Sequence, residues 1–241
     1  MTKAHSPRVI MFLDFDGTIS RRDAVDYILE TYAEPEWLEI EANWRDGRIG
    51  SRECLRAQMA LVRATRAELD ALLGDIEVDE GFGALIEICA SQQVPVHIIS
   101  DGFDYCISRI LSRIKLGSGE VLHVGRICAS HLEVVGKQWR TAFPFFDQTC
   151  AHGCATCKPA VMRLLNTANV PAVFVGDGLS DRYAAQSADM VFAKGKLAAY
   201  CREQAIDHTL FEDLGEVAAH LERWLTSSRF EIAEEMDRAS A

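Results

Sequence analysis

Three short apolar runs punctuate the chain, and each ends on small or acidic residues. Val9-Ile10-Met11-Phe12-Leu13 runs into Asp14-Phe15-Asp16-Gly17-Thr18, and Val94-Pro95-Val96-His97-Ile98-Ile99 into Ser100-Asp101-Gly102. Val170-Pro171-Ala172-Val173-Phe174-Val175 runs into Gly176-Asp177-Gly178, and a fourth run, Met190 to Ala193, follows Asp189. Runs this short, unbroken and rich in β-branched residues predict strands buried on both faces, as in a parallel sheet. Helical periodicity fills the stretches between: Gly83 to Gln92, Tyr105 to Ile114, Pro159 to Thr167, Asp181 to Ser187 and Leu214 to Leu225. Strands alternating with helices predict an α/β fold, a Rossmann-like doubly wound parallel sheet.

Three stretches depart from this grammar. Residues 23–80 have little strand character and many Ala, Leu, Glu and Arg, with Gly47, Gly50 and Gly74 as breaks. They predict a helical unit inserted after the first strand. Leu116 to Phe146 carries two β-like stretches, Val121 to Ile127 and Leu132 to Val135, and predicts a hairpin excursion. The polar, acidic end predicts a frayed helix or a disordered tail. The resulting division is a core of residues 1–22 and 81–228, a helical cap of 23–80 and a tail of 229–241.

In doubly wound sheets, ligands bind outside the carboxyl ends of the strands, where all three Asp-Gly steps are expected. Asp14 and Asp16 are two residues apart, so they point the same way. Asp177 and Asp181 end another strand and open a helix. If those strands are neighbours, four carboxylates converge. Two like charges about 4 Å apart repel by about 4 kcal/mol at an effective dielectric of 20, so the set calls for a cation. Carboxylate oxygens with some retained water suit Mg²⁺.

Composition narrows the classes. The 49% hydrophobic and 25% charged content is that of a folded globular chain. A net charge of -11 argues against nucleic acid as a partner. No apolar run approaches the roughly 20 residues of a membrane span. Met1 to Arg8 lacks a signal-peptide core, which predicts a cytoplasmic protein with reduced thiols. Four side chains crowd into one short segment, Cys150, His152, Cys154 and Cys157. They are compatible with free thiols, a structural metal or a disulfide such as Cys154 with Cys157. The acidity is unevenly spread. Residues 21–80 hold eight basic and fifteen acidic residues, whereas 81–202 hold twelve and nine. The stretch with Ser100, Lys158 and the second carboxylate pair therefore tolerates an anionic small substrate.

Four separated motifs together resemble the haloacid dehalogenase superfamily of phosphotransfer enzymes: Asp14-Phe15-Asp16-Gly17-Thr18, Ser100 ending a strand, Lys158 opening a helix, and Gly176-Asp177-Gly178-Leu179-Ser180-Asp181. A helical insert after the first strand looks like the C1 cap of the subgroup that includes phosphoserine phosphatase. Cys154-Ala155-Thr156-Cys157-Lys158-Pro159, Ala184-Ala185 and Val191-Phe192-Ala193 look like the methionine-salvage phosphatases that act on 2-hydroxy-3-keto-5-methylthiopentenyl 1-phosphate. Ser100-Asp101-Gly102 departs from the Ser-Gly-Gly more frequent there. The resemblance implies a Mg²⁺-dependent phosphatase acting on a small phosphorylated metabolite. Asp14 would be the nucleophile and Asp16 the general acid and base. Asp14, Asp16, Asp177 and Asp181 would serve the metal, and Thr18, Ser100, Asp101, Gly102 and Lys158 the phosphate. Asp23, Arg52 and Ser180 are expected to meet the substrate. Arg45, Arg48, Arg52 and Arg56 recur at helical spacing, and Trp37, Trp44, Met59 and Leu61 are expected in the cap core. Phosphoserine, phosphocholine and phosphoethanolamine phosphatases, and a non-catalytic phosphate-binding regulatory module, stay open as alternatives.

Overall fold

A computed structural model of the chain describes residues 8–114 and 124–239, with side chains up to 227. Strand β1 (Ile10–Leu13) leads into four helices, α1 (Ala24–Tyr32), α2 (Trp37–Arg45), α3 (Ser51–Met59) and α4 (Arg66–Gly74). There follow α5 (Phe82–Ser91), β2 (Val96–Phe103), α6 (Asp104–Leu111), β3 (Ile127–Val135), β4 (Gln138–Ala142) and α7 (Lys158–Leu165). The chain continues through β5 (Ala172–Gly176), α8 (Arg182–Ala185), β6 (Met190–Ala193), α9 (Gly195–Glu203), β7 (Thr209–Leu210) and α10 (Leu214–Ala239). The sheet order is β4-β3-β2-β1-β5-β6-β7, parallel except for β4.

Side chains alternate along a strand, and in β1 both sets are buried. Met11 and Leu13 join one core with α5, α6 and α10, while Ile10 and Phe12 join another with α7, α8 and α9. Strand β5 repeats the division, with Val173 and Val175 on one face and Ala172 and Phe174 on the other. Helices thus cover both faces of the sheet, as a doubly wound fold requires. β1 pairs with β2 on one side and β5 on the other. The strand order reverses there, leaving a crevice at their carboxyl ends.

The helices after β1 leave and re-enter the core through a narrow ribbon. Ser20 pairs with Val78, and the N–H groups of Arg21 and Asp79 donate to the carbonyls of Glu77 and Ile19. Asp79 is buried and accepts from the N–H groups of Gly81 and Leu214, fixing the return point against α10.

Some expectations change. Ser100, Asp101 and Gly102 lie within β2 rather than beyond it, in a stretch where the register against β3 shifts between Ile99 and Phe103. Such a bulge bends a strand and re-aims its side chains. The hairpin is β3–β4, later than expected. Part of Val121 to Ile127 lies outside the described residues, and β3 begins where that stretch ends. Strand β4 is mostly polar, which hides it from an apolar-run search. The terminal stretch is helical, since α10 continues to Ala239. The four arginines do not share one helix. Arg45 ends α2, Arg48 lies in the connection and pairs with Asp46, and Arg52 and Arg56 sit on α3.

Candidate active site

Past Leu13, the Asp14 N–H still bonds to the Val175 carbonyl at 2.9 Å, and the chain then turns. The carbonyl of Phe15 accepts from the N–H groups of Thr18, Ile19 and Ser20. Gly17 takes a φ of 77°, and a Cβ there would lie 2.5 Å from Oδ2 of Asp177, so the position demands glycine. This turn places Asp14 and Asp16 in the lining of one cavity of 390 Å³. An oxygen of Asp16 accepts from the Ala24 N–H at 2.8 Å, at the start of α1. Its other oxygen packs directly over Gly102, leaving no room for a Cβ.

Asp177 follows β5, beside Asp14. The hydroxyl of Thr18 donates to Asp177 at 2.9 Å. Asp181 Oδ2 accepts from the N–H groups of both Asp177 and Gly178 at 3.0 Å. Beneath Asp14 sits Lys158, only 2% exposed, whose Nζ donates to Asp14 Oδ1 at 2.7 Å and to Asp181 Oδ1. Asp14, Asp177 and Asp181 offer oxygens that all lie within 4.8 Å of one another.

These groups perturb one another strongly. Burial pushes the Asp14 carboxyl well above its ordinary range, helped by Asp181 and Asp177 and opposed by Lys158. Burial also pushes Asp16 up to about 6, with the Ala24 N–H opposing, and Asp177 up to about 6, with Asp181 adding to it. The ammonium of Lys158 is held above its usual value because Asp14, Asp181 and Asp101 outweigh its burial. One ammonium facing three carboxylates leaves negative charge uncompensated. A divalent cation among hard oxygen donors removes that deficit, so the donor set fits Mg²⁺.

Ser100, Asp101, Gly102, Asp23 and Ser180 all line the cavity. Ser100 is buried and accepts from the Gly102 N–H at 2.9 Å. Asp101 ties three elements together. Its Oδ2 accepts from the Ser51 hydroxyl on α3 at 2.6 Å, and its Oδ1 from the Thr156 N–H before α7 at 2.9 Å. Burial raises its carboxyl despite Lys158 nearby. Asp23 caps α1 by accepting from the Asp26 N–H, and burial beside Asp16 and Asp26 raises it well above the ordinary range.

Three expected phosphate or substrate contacts lie outside the cavity lining: Lys158, whose ammonium bonds Asp14 and Asp181, Thr18 and Arg52. Thr18 is fully buried with its hydroxyl on Asp177, so it does not face the cavity. Arg52 turns away: its guanidinium lies 4.5 Å over the Phe146 ring, while its main-chain N–H donates to the Gly153 carbonyl. Trp44, expected in the cap core, instead lines the cavity with Glu41 and Arg45 from the same face of α2. Gln58 and Cys54 of α3 complete that wall, and Gln58 donates to Glu41 at 3.1 Å. Lys196, in the first turn of α9, also lines the cavity. It had a sequence signal, since it follows the fourth apolar run and so falls at the same sheet edge as Asp177.

The family model described as haloacid dehalogenase-like hydrolase matches residues 11–186. A protein of Geobacillus thermodenitrificans (strain NG80-2) named 2-hydroxy-3-keto-5-methylthiopentenyl-1-phosphate phosphatase is 27% identical over 219 residues, covering 90% of this chain and 96% of its own. One of the same name from Bacillus velezensis (strain DSM 23117 / BGSC 10A6 / LMG 26770 / FZB42) is 28% identical, covering 88% and 89%. Among solved structures, a phospho-aspartyl intermediate analogue of phosphoserine phosphatase superposes with a TM-score of 0.68 at 18% identity. That match covers 89% of this chain and 99% of the other.

Proposed function

Because the chain belongs to the haloacid dehalogenase-like hydrolases, we propose that it hydrolyses a small phosphomonoester through a phosphorylated Asp14. The observation that carries this reading is the placement of Asp14, Asp16 and Asp177 in one cavity, with Lys158 and Asp181 buried against Asp14 and its neighbours. An oxygen of Asp14 attacks phosphorus, and the bond from phosphorus to the leaving oxygen breaks. Asp16 delivers a proton to that oxygen, then takes one from the water that attacks phosphorus and frees Asp14. A carboxyl near 6 suits both tasks at neutral pH, since it can give and regain a proton. Lys158 keeps Asp14 oriented and counters the charge gathering on the transferring group. Ser100 and the backbone at Gly102 and Gly178 border the place where phosphate oxygens would rest. Asp14, Asp177, Asp181 and the main-chain carbonyl of Asp16 would hold Mg²⁺. The bound cation supplies positive charge against the phosphoryl oxygens.

The helices of residues 23–80 act as the cap, moving on the ribbon at Ser20–Arg21 and Glu77–Asp79. Closure excludes water from the first step. The substrate read most directly is the methylthio-bearing enol phosphate named for the relatives. Val25, Trp44, Cys54 and Leu55 form an apolar wall that suits a thioether tail. Asp26 and Glu41 beside them favour a second reading, an ammonium-bearing ester such as phosphoserine, phosphocholine or phosphoethanolamine. The test is phosphate release with Mg²⁺ from the enol phosphate and each ammonium ester. Fastest release from the enol phosphate supports the first substrate reading, and fastest release from an ammonium ester supports the second. No release from any ester, with phosphate still binding, makes the chain a binding module.

A further inference from the structure

The segment before Lys158 contains a sulfur pair that the phosphatase chemistry does not use. Cys150 and Cys154 are free thiols with their Sγ atoms 3.6 Å apart, and both are half-buried. Burial pushes the Cys150 thiol up, but the N–H groups of Cys154 and His152 and the thiols of Cys154 and Cys157 outweigh it, leaving it below the ordinary value. Cys157 is buried. A metal is not the better reading. Among the described residues, the group of three or more metal-capable side chains within 4.8 Å is the aspartate cluster, not this segment. His152 is stacked on Tyr183, with ring centroids 3.9 Å apart.

The same segment braces α3 against the core. The Ala155 N–H donates to the Ser51 hydroxyl at 2.9 Å, and that hydroxyl donates to Asp101 at 2.6 Å. The Thr156 N–H donates to the other oxygen of Asp101. The Gly153 carbonyl accepts from Arg52 at 3.1 Å, and Gly50 packs against Gly153 so closely that a Cβ on it would lie 2.5 Å from that carbonyl. A disulfide requires its sulfurs to close to about 2.05 Å. Cys154 must therefore move relative to Cys150, and Ala155 and Thr156 are its immediate neighbours.

We propose that Cys150 and Cys154 form a reversible disulfide when the protein meets a hydroperoxide, and that forming it releases the Ser51–Asp101 brace. The Cys150 thiolate attacks one oxygen of hydrogen peroxide and the O–O bond breaks, giving a sulfenic acid and a hydroxide that takes up the proton the thiol released, forming water. The Cys154 sulfur then attacks the sulfenic sulfur, forming the S–S bond and expelling a second water. The two thiols give up two electrons and two protons, and hydrogen peroxide becomes two waters. A thiol reductant reverses the change. Loss of the brace slows turnover, a consequence that rests on the phosphatase reading.

Three measurements on the full chain test this. After hydrogen peroxide, alkylation and peptide mapping should show a Cys150–Cys154 link, retained in Cys157→Ser and absent from Cys150→Ser. Amide exchange at Ala155 and Thr156 should speed up by about fivefold or more on oxidation and recover with dithiothreitol. Phosphate release should fall by a similar factor in the wild type but not in Cys150→Ser. A Cys154–Cys157 link, no intrachain link, or a Cys150–Cys154 link that leaves both amides unchanged overturns the proposal. Absence of phosphate release from the reduced protein counts against the phosphatase reading instead, and mapping and exchange still decide the thiol pair.

Discussion

Lys158→Met removes a cation that sits between two buried carboxylates. The ammonium is 2.7 Å from Asp14 and also bonds Asp181, and its side chain is 2% exposed. Methionine fills a similar volume but leaves Asp14, Asp177 and Asp181 within 4.8 Å of one another with no counter-charge. Removing one partner of a buried ion pair costs about 3–5 kcal/mol. For a chain of this length, each kcal/mol lowers the melting temperature by about 2–4 °C, so the expected loss is about 6–20 °C. The loss should be greatest at pH 7 in a chelator. It should shrink as the pH is lowered toward 5, because burial raises the Asp14 carboxyl and so favours its neutral form. It should also shrink with Mg²⁺, which replaces the missing charge. Adding Asp181→Asn to the variant should recover part of the stability. Calorimetry or circular dichroism at both pH values, with and without Mg²⁺, reads all of this. An unchanged melting temperature at pH 7 in chelator, or a deficit indifferent to Mg²⁺, would refute the electrostatic account of the site.

Further outcomes follow from the same geometry. Asp16 and Asp177 have folded values near 6 against an ordinary 3.8, so their contribution to stability is present below the unfolded value and lost as pH rises through about 6. In chelator, Asp16→Asn should therefore flatten the change in unfolding free energy between pH 7.5 and 5, read from urea curves, by about 1.4 kcal/mol; parallel curves would contradict the assignment. Gly102→Ala should drive Asp16 from its position and lower kcat about 100-fold or more, the usual scale of losing an acid–base group, with little loss of fold by circular dichroism. Trp44→Ala should raise KM for the natural substrate by about tenfold and leave p-nitrophenyl phosphate almost untouched. An equal loss on both substrates would remove Trp44 from the substrate wall.

The central strands were legible because each is a compact apolar run that ends abruptly on Asp, Ser or Gly. The carboxylates were legible for a related reason: a two-residue spacing at one strand end and a Gly-Asp-Gly step at another meet only if the strands pair, and β1 and β5 do. The burial of Lys158 was not readable from its neighbours. Its partners Asp14 and Asp181 lie 144 and 23 residues away, and only the motif pointed to it. Thr18 illustrates the opposite failure, since a residue beside the Asp motif spends its hydroxyl on a distant carboxylate. The cap was least legible. Helix α2 has no buried residue, so its periodicity does not say which face meets the cavity. The arginine spacing misled because Gly47, with a φ of 72°, and Gly50 break the chain between Arg45 and Arg52. The Ser51–Asp101–Thr156 contacts join three elements distant in sequence, and no local pattern announces them.

The covalent step at Asp14 can be read most directly by quenching the chain in acid while it turns over p-nitrophenyl phosphate with Mg²⁺. Asp16→Asn, which slows release of the phosphoryl group by water, should be run alongside the wild type. Peptide mapping should find phosphate on Asp14, more of it in the variant, and none in Asp14→Asn, which should also release no phosphate. Sustained phosphate release with no phosphorylated Asp14, or with the adduct on another residue, would contradict the account.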